Sequence, residues 1–127
     1  AGMNAERLLS EMWMKHRSHP QLDIRPNRIT YNSVMKVWIH SGDRDAAKRA
    51  SKILAEMWKI YDEGGDKTMA PDTITYTSLI RTLAKTSGPN AGTEAERLLS
   101  EMWRRHDSLG ASECNIRPNH VTYGVVM

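Results

Sequence analysis

The chain has 127 residues, 39% of them hydrophobic and 26% charged, with 18 Lys plus Arg against 15 Asp plus Glu. That composition fits one folded domain or one repeat array and excludes a disordered acidic tail or a histone-like basic arm, while the +3 balance permits nucleic acid without requiring it. A single cysteine, Cys114, excludes a disulfide framework and leaves too little sulfur for a structural zinc site.

No apolar run approaches the ~20 residues of a membrane span. The opening Ala1-Gly2-Met3-Asn4-Ala5 carries neither a signal core nor an Arg/Ser-rich leader, so any targeting peptide is expected to lie outside these residues.

In chain order, the first predicted element is an amphipathic helix with Ala5, Leu8, Leu9 and Met12 on one face. Arg25-Pro26-Asn27 then gives a helix-start signal, and Tyr31, Val34, Met35, Trp38 and Ile39 recur at helical spacing until Gly42. A further helix carries Ala50, Ile53, Leu54 and Met57, followed by a polar connector over 59–70 containing Gly64-Gly65. Pro71-Asp72 opens the next helix, with Tyr76, Leu79, Ile80, Leu83 and Ala84 on one face and Gly88 as its stop. Ala95, Leu98, Leu99 and Met102 mark another helix, and a second connector over 104–116 contains Gly110. Both connectors read as loops or frayed helix ends, mobile near 62–68 and 107–114. Pro118-Asn119 starts one more helix.

These elements repeat. Residues 5–13 and 95–103 share nine identical letters, Ala-Glu-Arg-Leu-Leu-Ser-Glu-Met-Trp, and 50–58 read Ala-Ser-Lys-Ile-Leu-Ala-Glu-Met-Trp, a step of 45 each time. The Arg25–Tyr31 block returns at Ala70–Tyr76 and at Arg117–Tyr123. The unit is thus a leading helix and a trailing helix, dividing the chain into a truncated unit 1–27, complete units 28–72 and 73–119, and the start of another at 120–127. One such pair cannot bury its apolar stripes alone, so the expected fold is all-α, an α-solenoid of stacked antiparallel helix pairs. A chain that opens in a trailing helix and closes in a leading one is expected to be a segment of a longer array.

The order Thr-Tyr-Asn-Ser-Val-Met, Ser-Gly, Ala-x-x-Ile-Leu-x-Glu-Met and Pro-Asp resembles the pentatricopeptide repeat, over nearly the whole chain. A tetratricopeptide unit would put Trp and Leu-Gly early in its first helix, which is not found. The 45-residue step exceeds the family's usual unit of about 35, and most of the excess falls after Glu-Met. The resemblance implies single-stranded RNA as partner, possession of a mitochondrial or chloroplast address, and work in transcript processing, stability or translation.

Removing the core stripe from the leading helices leaves a second stripe: Ile29, Asn32, Lys36, His40, and then Ile74, Thr77, Arg81, Lys85. An aliphatic side chain can pack on a base, a small polar one can meet its edge, and cations can hold phosphate. Val121 repeats the aliphatic position. In the family, the residue after the Thr-Tyr tyrosine and the last residue of the unit read one base together. Carried over, the pairs are Asn32 with Asp72, implying uridine, and Thr77 with Asn119, implying adenosine; Asn27 closes the truncated unit. Capping of helix starts explains Asn27, Asp72 and Asn119 equally well.

Trp13, Trp58 and Trp103 stand on the trailing helices and read as packing between units, with Tyr31, Tyr76 and Tyr123 in the core stripe. The glutamates at 6, 11, 56, 96 and 101 read as surface charge pairing. His16 and His19 lack further metal-ligating company, so no metal or other cofactor is expected. Nucleotide-binding, esterase and zinc-deaminase signatures are all missing, so neither enzymatic activity nor a small-molecule substrate is expected. The alternative function is a protein-binding scaffold subunit of an organellar assembly, without base readout.

Overall fold

A computed structural model describes residues 2–42, 45–65, 67–86, 91–109, 116, 117, 119 and 122–124. The fold is all-α; the described residues include the helices α1 (Gly2–Ser18), α2 (Arg28–Ser41), α3 (Ala46–Gly64), α4 (Thr73–Thr86) and α5 (Ala91–Leu109), a 3-10 turn at Lys67–Met69, and helical residues at 122–124. No strand occurs among the described residues. No described helix is long and apolar enough to cross a membrane.

Each leading helix starts at a side-chain cap. Asn27 accepts from the Ile29 and Thr30 amides at 2.9 and 3.2 Å, while Thr30 Oγ1 accepts from the Asn27 amide at 3.3 Å. Asp72 with Thr75 and Asn119 with Thr122 repeat the device, the amide-to-carboxyl or amide-to-carboxamide bonds being 3.0 Å in both. Two of the first-turn N–H groups, which have no partner within the helix, are thereby satisfied at α2. Gly42, at φ 70°, ends α2 in the left-handed conformation that costs glycine little. Gly88 lies outside the described residues.

The trailing helices are longer than the sequence pattern suggests. Residues 59–64 continue α3 and 104–109 continue α5, where loops or frayed ends were expected. Tyr61 explains the first extension, since it packs edge-on to Trp58 one turn earlier, with centroids 5.6 Å apart. Gly65, at φ 66°, then stops α3 by donating to the Tyr61 carbonyl. The connector is not simply polar either, because Met69 and Ala70 are fully buried. Ile116 is the corresponding anchor of the second connector, of which 110–115 lie outside the described residues.

The helix α2 packs on α1, α3 and α4, and α4 packs on α3 and α5. One core results, with Tyr31, Met35, Trp38, Met57, Tyr76, Leu79, Ile80 and Met102 at its centre. Its recurring contact joins a tryptophan to the tyrosine of the next leading helix. Trp13, Trp58 and Trp103 donate their indole N–H groups to the hydroxyls of Tyr31, Tyr76 and Tyr123 at 2.9, 2.7 and 3.0 Å. Glu56 lies close enough to Tyr31, and Glu101 to Tyr76, for each carboxylate to influence the hydroxyl. The Glu-Met-Trp letters therefore have distinct tasks: Glu meets the tyrosine before it, Met enters the core, and Trp reaches the tyrosine after it. Glu101 also pairs with Arg104 at 3.9 Å one turn on, in keeping with surface charge pairing. Glu6 likewise accepts from Trp38 Nε1 at 3.0 Å.

Burial holds the Tyr31 hydroxyl up to about 12, and that of Tyr76 higher still. Desolvation also raises Glu56, opposed by the nearby Tyr31 hydroxyl and Lys59 and reinforced by Glu6.

Candidate nucleic-acid interface

The polar site forms where the cap of one leading helix meets the first turn of the helix before it. Asp72 caps α4, and Asn32, one turn into α2, donates from Nδ2 to Asp72 Oδ1 at 3.4 Å. Thr75 lies between them, its hydroxyl oxygen 2.6 Å from Asn32 Oδ1 and 2.9 Å from Asp72 Oδ1. One hydroxyl hydrogen serves those two acceptors, so Asn32, Asp72 and Thr75 form a single network. The expected pair of Asn32 and Asp72 is thus in direct contact.

The second pair is brought together differently. Thr77 is buried, 8% exposed, and its hydroxyl lies 2.9 Å from that of Thr122. Thr122 in turn lies 3.1 Å from Asn119 Oδ1. Thr77 and Asn119 therefore share Thr122 as an intermediary, and Asn119 is the exposed member. Asn27, half-buried, has its carboxamide oxygen committed to capping α2.

Ile29 and Ile74 stand out as apolar side chains facing solvent, 74% and 63% exposed. They face a shared open groove of about 330 Å³ between α2 and α4, which Asn32, Lys36 and Asp72 also line. Lys36, His40 and Arg81 are exposed, and Lys36 and His40 also line an open depression of about 370 Å³ on α2. Val121 and the Lys85 side chain lie outside the described residues.

Arg28, which sequence reasoning passed over, belongs to the groove as well. Its guanidinium donates to the carbonyls of Ala70 and, at 2.9 Å, Lys67, and lies 4.0 Å from Asp72 Oδ2. In the following unit Thr73 occupies the same position and donates its hydroxyl to the Arg117 carbonyl at 2.8 Å. Both side chains reach the equivalent carbonyl, so the first residue of a leading helix latches the connector ahead. Only the shared Pro-Asn or Pro-Asp register hinted at this, because an Arg and a Thr look unrelated in the sequence.

Among the described residues no group of three or more His, Cys, Asp or Glu is placed to hold a metal ion. His16 packs edge-on to Trp13 instead, at 6.2 Å between centroids. The groove thus offers apolar surface, amide and carboxylate hydrogen-bonding groups and flanking cations. Comparison of the chain with family models, curated proteins and solved structures gave no match in any of the three.

Proposed function

We infer that the chain is a segment of a pentatricopeptide-type α-solenoid that binds single-stranded RNA along the exposed stripe of its leading helices. The observation that carries this reading is the pair Ile29 and Ile74, which are exposed at the same place in successive units beside the Asn32–Asp72 contact. An exposed isoleucine contributes little to folding, whereas two of them spaced along a groove with hydrogen-bonding groups between suit successive bases. The isoleucines pack against base faces, and the polar pairs meet base edges. Lys36, His40, Arg81 and Lys85 hold the phosphates.

For the first base, the Asn32 amide donates to a uracil carbonyl and the Asp72 carboxylate accepts from the ring N–H. For the second, buried Thr77 acts by fixing Thr122 and so Asn119, whose exposed carboxamide can both donate to and accept from adenine. The site sequence is 5′-U-A-3′, with the protein acting on organellar transcripts in a mitochondrion or chloroplast, as the family resemblance implies.

Fluorescence anisotropy of labelled RNA titrated with the chain tests this reading. Affinity is expected to fall as salt rises, to favour single strands over duplex, and to drop when the U-A step is replaced. Indifference to both strandedness and base identity would refute it.

A further inference from the structure

Because α1, α3 and α5 correspond at a step of 45, a residue unlike both of its counterparts is easily seen. Leu8 is 57% exposed, yet its counterparts Ile53 and Leu98 are 3% exposed, so its place is one that neighbouring helices cover. Met3 and Met14 differ from this case. They are 57% and 60% exposed, and their counterparts Lys48, Thr93, Lys59 and Arg104 are exposed too. These two places face outwards in every unit, and only α1 fills them with methionine. With Arg7, Ser10 and Arg17 they form one line along α1, at steps of four, three, four and three residues.

This line borders an open groove of about 470 Å³ between α1 and α3, to which Trp13, Met14, Arg17, Glu56 and Ile60 contribute. Arg25 lies over Trp13 at 5.7 Å from its centroid, and in the same register between α3 and α5 the chain covers its tryptophan more closely. There the Arg105 guanidinium lies 3.9 Å from the centroid of Trp58 and 3.4 Å from Asp62. The counterpart of Arg105 is Ile60, and the counterpart of Asp62 is Arg17. The shorter Ile60 leaves the groove open, and the charge at its rim changes from acid to base. Glu56 is the acid within it, and its carboxylate lies beside the Tyr31 hydroxyl.

We propose that the α1–α3 groove and its methionine line dock an acidic amphipathic helix of a protein partner. Apolar side chains of that helix lie over Met14, Ile60 and the edge of Trp13, and its carboxylates meet Arg7 and Arg17. Methionine is suited to such a surface because its flexible, polarisable side chain adapts to a partner's shape. A nucleic-acid backbone would use the arginines and leave the outward methionines without purpose. None of these residues belongs to the Ile29–Ile74 groove, so the proposal stands apart from the RNA reading.

The probe is a short fluorescein-labelled peptide with Leu at helical spacing and Glu elsewhere, titrated with the intact chain and read by anisotropy. Met14→Lys places the residue of α3 in α1, and Ile60→Arg with Arg17→Asp recreates the Arg105 and Asp62 arrangement. Each borrows a residue that the chain carries at the matching place, and circular dichroism confirms that the variants fold. Either change is expected to weaken peptide binding about tenfold or more, and a peptide with Lys in place of Glu is expected not to bind. The proposal is overturned if the parent chain does not bind the Leu-Glu peptide at millimolar concentration. It is equally overturned if both variants bind as the parent does, or if single-stranded oligouridine displaces the peptide.

Discussion

Changing Tyr76 to Phe removes the oxygen that accepts from the Trp58 indole N–H. Tyr76 is fully buried and Trp58 is 4% exposed, so no water can take over the indole N–H, whose bond to the hydroxyl is 2.7 Å long. A buried donor left without a partner costs roughly 1–3 kcal/mol, so about 2 kcal/mol is expected for Tyr76→Phe. The same change at Tyr123 should cost under about 0.5 kcal/mol, because that residue is 40% exposed and water can replace the hydroxyl. Tyr31→Phe should fall between them at about 1 kcal/mol, since Trp13 is only half-buried. Urea unfolding followed by circular dichroism at fixed pH measures all three, with the slope against urea unchanged. Equal losses at the three tyrosines, or a smaller loss at Tyr76 than at Tyr123, would refute the assignment of these bonds to holding neighbouring units together.

The buried hydroxyls also set a pH dependence. Tyr31 is raised to about 12 and Tyr76 further, so above pH 10 the unfolded chain releases protons that the folded chain retains. The contribution of the two tyrosines should be constant below that and fall from pH 10 to 12 by up to about 1.4 kcal/mol per pH unit for each tyrosine; titration of all four tyrosines near 10 in the folded chain would contradict this. Asp72→Ala should lower stability by about 1–2 kcal/mol through loss of the α4 cap, whereas Asp72→Asn, which keeps the accepting oxygen, should cost under about 0.5 kcal/mol in the same urea assay. Replacing Lys36, Arg81 and Lys85 together by Ala should weaken all RNAs alike and lower the slope of log affinity against log salt by about 2; an unchanged slope removes them from the phosphate path. Asn119→Asp should move preference at the second base from adenosine toward guanosine by about 1 kcal/mol or more, measured with paired RNAs.

The helix count and unit register are readable from the sequence because the core stripes recur at one spacing, and Tyr31 and Tyr76 occupy matching buried places. The ends of α3 and α5 are not, since 59–64 and 104–109 look polar and their order depends on side chains such as Tyr61 leaning back on Trp58. Glutamates of the Glu-Met-Trp letters look like any helix-surface acid, and only the approach of Tyr31 and Tyr76 from another helix distinguishes Glu56 and Glu101. The Asn32–Asp72 pairing came from resemblance alone, and the structure puts the two in contact. The burial of Thr77 had no signal, because threonine at a helix surface and threonine facing Thr122 across two helices share the same local pattern.

The most direct test of RNA binding in the α2–α4 groove is the affinity of the Ile29→Ala, Ile74→Ala double variant for single-stranded RNA, measured beside its urea stability. Both side chains face solvent, so stability should stay within about 0.5 kcal/mol of the parent. If each isoleucine covers a base with about half of its surface, it contributes roughly 1 kcal/mol, and the two together about 2 kcal/mol, or about a 30-fold loss of affinity. An RNA affinity equal to that of the parent would contradict the account, because the bases would then lie somewhere other than against Ile29 and Ile74.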